Sequence, residues 1–226
     1  MSGNIKPSTK KMIEEPEDWE IWEQYPQHRW VFNKLELSLK LGYTAGPTPA
    51  PVPTTGEYIV RPIYNLSGLA AGAKFMKLQK DKVYDLLPSY FWCERFFGEH
   101  LSVDYEWTDS GITPVHSSIG VTNYDNLSRF DRWYEVEHKN IPLPEWINNF
   151  KDVGKLNIEF VDKKIIEIHL RHGDYFPEGA TEVIPVWSTT PKNEVERLLQ
   201  AGYNFEDCYT NAENNIEDPR MGHLWK

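Results

Sequence analysis

Cysteine is scarce in this sequence: Cys93 and Cys208 are the only two among 226 residues. Two isolated thiols define no disulfide scaffold, and without a CxxC spacing a zinc or redox centre has no support. Long apolar runs are lacking too. No stretch approaches the roughly 18–20 apolar residues that a membrane helix needs, and the opening MSGNIKPSTKKMIEEPEDWE has no apolar core of signal-peptide length. These absences predict a soluble cytoplasmic protein with no membrane partner. Basic charge is in deficit as well. With 24 Lys and Arg against 34 Asp and Glu, the formal net charge of -10 opposes attraction to a polyanion, so nucleic acid is set aside as a partner. No internal repeat is visible.

What is present suits a globular chain. Hydrophobic residues make up 40% and charged residues 26%, enough for one sizeable core or two small lobes sharing a cleft. Residues 1–13 are polar and predict a disordered lead-in. Trp30, Lys34, Leu35, Leu37 and Leu41 recur at helical spacing and stop at Gly42. GPTPAPVPTTG is so rich in proline that it predicts an extended surface connection, neither helix nor paired strand. A strand from Tyr58 to Ile63 leads into the small-residue loop NLSGLAAGA, Asn65 to Ala73. Alternation resumes from Phe91 to Tyr105 with a bend at Gly98, and the segment between Glu106 and Pro144 is irregular and aromatic. PEWINNF opens like a short helix, and EVERLLQAG is amphipathic. The clearest pattern is LNIEFVDKKIIEIHLR, two strands joined by a tight turn at Asp162 and Lys163. Its polar row, Asn157, Glu159, Glu167, His169 and Arg171, must be paired or bind something, because a buried lone charge costs several kcal/mol.

That row can serve phosphate chemistry. An ATP site needs cations and amides around the phosphates, an apolar adenine slot, and carboxylates to hold magnesium between phosphate oxygens. Arg61 precedes the small-residue loop, whose Asn65, Ser67, Gly68 and Gly72 can cover phosphate, and Lys74 follows it. Glu94, Arg95, Phe96 and Phe97 predict the adenine side. Glu159 and Glu167, opposed across a hairpin, can share a metal, with His169 one step further. Each has a plainer alternative: a lysine-paired strand face for the glutamates, a structural ion pair for Arg61, a simple turn for the loop, and structural roles for His100 and His116.

The order NKLELSLKLG, YIVRPIYNLSGLAAGA, WCERFFGEHLSVD, LNIEFVDKKIIEIHLR, over roughly residues 30 to 175, resembles the core of the ATP-grasp superfamily. The resemblance implies an α+β fold of two small lobes with antiparallel sheets around a nucleotide cleft. It places the domain at residues 14–190, with lobes at about 30–92 and 93–190, and makes 191–226 a C-terminal extension. It implies ATP and Mg²⁺ as cofactors and an ATP-dependent carboxylate-amine or carboxylate-thiol ligase acting through an acyl phosphate, with Arg171 stabilising that intermediate or orienting the acceptor. Small stand-alone versions such as those of bacteriophage genomes are similar in kind, which would place the protein in the host cytoplasm. The pattern departs from the family at three positions: Arg61 for lysine, His100 for a ribose-binding glutamate, and His169 for a metal-binding asparagine. Imidazole suits zinc or a transition ion better than magnesium. The chain also begins almost directly at the ATP-binding part, which implies that acceptor binding uses another surface or another chain.

Two rival readings stand beside the ligase. A degenerate domain of this type would bind a nucleotide or a protein partner and transfer nothing. RHGDYFP resembles the phosphate pocket of histidine acid phosphatases, with His172 as nucleophile and Arg171 as clamp. Tyr175 replaces that family's second arginine, and the motif falls too late in the chain for a large domain to follow.

Overall fold

A computed structural model describes residues 15–66, 70–173, 176–177, 179–207 and 219–226. The predicted lead-in, Ser67, Gly68 and Cys208 lie outside the described residues. The chain starts with α1 (Asp18–Gln24), a 3-10 helix (Pro26–Phe32) and α2 (Lys34–Lys40). The expected single helix from Trp30 is thus split. Asn33 ends the first piece and caps the second, its side chain accepting a hydrogen bond from Glu36 N at 3.0 Å.

The first sheet joins β1 (Ala45–Pro47), β2 (Gly56–Pro62), β3 (Lys74–Leu78) and β4 (Tyr90–Glu94) in the order β1-β4-β2-β3. All its pairings are antiparallel. Part of the proline-rich connection is therefore a strand, a correction to the expected unpaired segment. Gly46 and Pro47 pair with Trp92 and Phe91, and proline is tolerated there because β1 is an edge. The small sheet also keeps Cys93 and Glu94, so its last strand extends past the expected lobe boundary.

The second sheet has eight strands: β5 (His100–Thr108), β6 (Gly111–Thr122), β7 (Phe130–Glu135), β8 (Lys155–Val161), β9 (Lys164–His169), β10 (Glu182–Trp187), β11 (Asn204–Asp207) and β12 (Arg220–Trp225). Their order is β11-β12-β10-β7-β6-β5-β8-β9. A second 3-10 helix (Glu145–Phe150) precedes β8, and α3 (Lys192–Gln200) follows β10. The main core forms where the N-terminal helices cover β5, β8 and β9: Ile21, Val31 and Leu37 meet Val103, Leu156, Ile158 and Phe160. The expected α+β architecture with two antiparallel lobes is present. The segment after residue 190 is more than an extension, since β11 and β12 complete the large sheet.

Candidate functional site

Strand alternation decides which side chains meet between the sheets. On β2, Tyr58 and Val60 enter the small sheet's own core with Val52, Leu78 and Trp92, so Ile59 and Arg61 face the other way and line a cleft against the large sheet. On β8, Leu156, Ile158 and Phe160 enter the main core, which turns Asn157, Glu159 and Val161 into the same cleft. The turn at Asp162 and Lys163, both at positive φ of 48° and 65°, folds β9 back so that Glu167 lies opposite Glu159 and His169 opposite Asn157. Strand β5 adds Ser102 beside Glu159 and Asp104 beside Asn157. The cavity is about 160 Å³, with Tyr43, Phe75, Glu94 and Phe96 on its walls.

The polar floor is densely paired. Lys34 Nζ contacts Glu167 Oε1, Arg61 Nη1 stands 3.8 Å from Glu167 Oε2, and Arg61 Nη2 donates to the Ile166 carbonyl at 2.9 Å. Asp18 accepts from His169 Nδ1 at 2.9 Å and from Arg171 Nε at 3.0 Å. His100 Nε2 lies 3.2 Å from Glu159 Oε2. Burial alone would raise the Glu159 carboxyl, but His100, His169 and Lys34 bring it down to about 2. Asp18 is likewise held below the ordinary carboxylate range: burial opposes this, and His169 and Arg171 outweigh it. Burial and the neighbouring Arg61 press the Lys34 ammonium below the usual lysine range, while Asp18 and Glu159 favour its charged form. The Glu167 carboxylate in contact with it acts in the same sense. Burial pushes the Cys93 thiol up to about 11, so this wall offers no thiolate nucleophile.

No protein-family model matches the sequence, and a search of curated proteins finds no match. Solved structures do match. The chain is similar to N5-carboxyaminoimidazole synthetase from Staphylococcus aureus complexed with ADP, with a TM-score of 0.55 at 9% identity over 86% of this chain and 67% of that one. The carboxyaminoimidazole ribonucleotide synthase of Aspergillus clavatus complexed with ATP gives a TM-score of 0.50 at 11% identity, over 92% of this chain and 73% of that one. A protein from Archaeoglobus fulgidus described as of the ATP-grasp superfamily aligns at 0.42 and 15% identity, over 72% of this chain and 59% of that one. The fold is ATP-grasp-like. At these identities the likeness concerns architecture alone.

Within the ATP-grasp frame, the expected residues divide. Arg61, Glu94, Phe96, Glu159, Glu167, His169 and Arg171 all line the cleft. Lys74 pairs with Val60 and shares its face of the small sheet, so it is turned away from the cleft, and it is exposed. Its neighbour Phe75 lines the wall instead. Arg95 is held over the Phe75 ring at 3.8 Å and pairs with Glu57 at 3.1 Å, while Phe97 is exposed. Asn65 is half-buried outside the lining. Gly72 has φ +77°, and a Cβ there would meet the Tyr90 hydroxyl at 2.4 Å, so its glycine is explained by packing. In the phosphatase-like motif, Arg171 is bound to Asp18, and His172 Nε2 donates to the Tyr105 carbonyl at 3.3 Å. Asp174 and Tyr175 lie outside the described residues.

A magnesium ion fits this donor set poorly. Magnesium asks for near-octahedral oxygen ligands at about 2.0–2.1 Å. Here Glu167 faces Lys34 and Arg61, Glu159 faces His100, and His169 Nδ1 is held by Asp18. Among the described residues, no group of three or more His, Cys, Asp or Glu is placed to hold a metal ion. Sequence reasoning missed the two groups that do this pairing. Lys34 carried a signal, a lysine on the apolar stripe of a helix. Asp18 carried none, being one of several acids in the run EEPEDWE.

Proposed function

We propose that the cleft between the two sheets binds ATP and that the chain is an ATP-dependent ligase. In its finer form the reading is a ligase that joins a carboxylate to an amine or thiol through an acyl phosphate. The observation that carries it is the pairing of an apolar wall with a polar floor between two antiparallel sheets, in the fold of synthetases solved with ATP and ADP. In this reading Ile59, Tyr43 and Phe96 supply the slot for the base, and the backbone from Glu94 reads its edge. Arg61, fixed by the Ile166 carbonyl, faces the phosphates. Arg171, held by Asp18, orients the acceptor carboxylate. These roles are assigned to the chain's own residues, and no step is routed through a metal.

A second reading is favoured by one observation: every carboxylate on the floor is already paired with a cation or histidine of the chain. On that reading the protein binds the nucleotide and transfers nothing. Calorimetric titration of ATP into the wild type and Ile59→Trp tests the shared part. Affinity should fall at least about tenfold in the variant, which is 1.4 kcal/mol, with the thermal transition retained. ATP binding that is unaffected by a tryptophan in the wall would remove the cleft as the site. Release of ADP in the presence of mixed small carboxylates and amines then separates the ligase from the binding module.

A further inference from the structure

Lys34 has no role in the nucleotide reading, yet its ammonium contacts Glu167, which lines the cleft. It opens α2 directly after the Asn33 cap, and at 5% exposure it is buried. From there it reaches Glu167 on the edge strand β9. Arg61 stands 3.8 Å from the other Glu167 oxygen, and His169 Nε2 stands 3.7 Å from the first. Glu159, opposite Glu167 in register, has His100 at 3.2 Å. The side chains around the two glutamates are already paired: Lys34 and Arg61 stand against Glu167, His100 against Glu159, and Arg171 against Asp18. A divalent ion inserted between the two glutamates would displace a buried ammonium from its carboxylate partner.

The structure assigns to Lys34 the place of a divalent cation at the Glu159–Glu167 pair, so that ATP is bound in this cleft without a divalent metal. Lys34 has a flexible four-carbon stem and three donors, so its ammonium can turn from Glu167 to a phosphate oxygen. Arg61 cannot move so freely, because Ile166 holds its guanidinium. The two cations then neutralise phosphate charge that a bridging metal would otherwise meet.

This assignment rests on the nucleotide reading, and the experiment separates the two. ATP is titrated calorimetrically into the wild-type protein in excess magnesium and again in excess EDTA. The expected result is a loss of less than about tenfold in affinity on chelation; a larger loss overturns the assignment. Absence of ATP binding in both buffers removes the nucleotide reading itself, and manganese binding to the nucleotide-free protein, followed by electron paramagnetic resonance, then decides the role of Lys34. Lys34→Met should take up manganese that neither the wild type nor Lys34→Arg takes up. Manganese held by the wild type, or by none of the folded proteins, overturns the assignment. Lys34→Gln, which keeps a polar end, serves if Lys34→Met does not fold.

Discussion

Glu167 shows how one side chain can matter to both stability and binding. Its carboxylate is the partner of two buried cations, so Glu167→Ala leaves Lys34 and Arg61 facing each other without a counter-charge. Removing one side of a buried pair costs about 3–5 kcal/mol. Urea denaturation should therefore place the variant's midpoint well below that of the wild type, with Glu167→Gln in between. An unchanged midpoint in Glu167→Ala would mean that the pair carries no structural weight. Glu159 answers to pH instead. Its carboxyl lies lower in the folded protein than in the unfolded chain, so its contribution is complete above about pH 4.5 and is lost as pH falls towards about 2. The shift corresponds to roughly 3 kcal/mol, and Asp18 acts in the same direction. Tryptophan fluorescence should report acid unfolding over this window. Glu159→Gln should start less stable at neutral pH and lose less on acidification. An acid limb identical in both proteins would contradict the assignment.

At the scale of elements, the β8–β9 hairpin carries the site, and it was also the most legible part of the sequence. Apolar residues alternate with Asn157, Glu159, Glu167 and His169, and the turn residues mark its centre. Both turn residues adopt positive φ without being glycine, which costs each of them about 1 kcal/mol. Lys163→Gly should therefore raise stability by a few tenths to about 1 kcal/mol, offset in part by the freer unfolded chain. A lower thermal midpoint would show that the lysine side chain contributes more than its backbone costs. The strands that sequence reasoning passed over share a different property. In β6, Pro114 sits at a bulge where the pairing shifts between Asp104 and Tyr105, and Gly120 lies under the Phe130 and Trp133 rings. Proline and glycine read as breakers in one dimension, although the bulge and the ring contacts that accommodate them are tertiary. β3 was hidden for another reason: its five residues, KFMKL, are half-exposed and bury only Leu78 fully. The expected role of Lys74 failed with it, since only pairing with β2 decides which way that lysine points.

At the scale of the whole molecule, the cleft floor is assembled from distant parts of the chain. Asp18 and His169 are 151 residues apart, and Lys34 and Glu167 are 133 apart. The order of motifs made the two-lobed architecture legible, but no local pattern announces contacts at such separations. The same holds at the C-terminus, where residues 191–226 were expected to form an extension outside the domain. Strand β12 instead lies between β10 and β11, and Leu224 is buried with Ile184, Val186 and Leu198. The Lys226 backbone closes this end by exchanging hydrogen bonds with Glu182 and accepting from both the N–H and the hydroxyl of Thr181. Deleting residues 219–226 would strip β11 of its neighbour and open the β10 edge, which invites pairing with other chains. The truncated protein should aggregate or lose its cooperative thermal transition. Leu224→Ala is the milder test of the same claim, because it keeps the strand and removes one buried side chain; its expected cost is about 2–5 kcal/mol. If both proteins melt like the wild type, the C-terminal strands are accessory to the fold. If both are impaired while the Leu224→Ala protein at low temperature still binds ATP like the wild type, the C-terminal strands serve stability and the cleft between β2 and β8 is sufficient for binding.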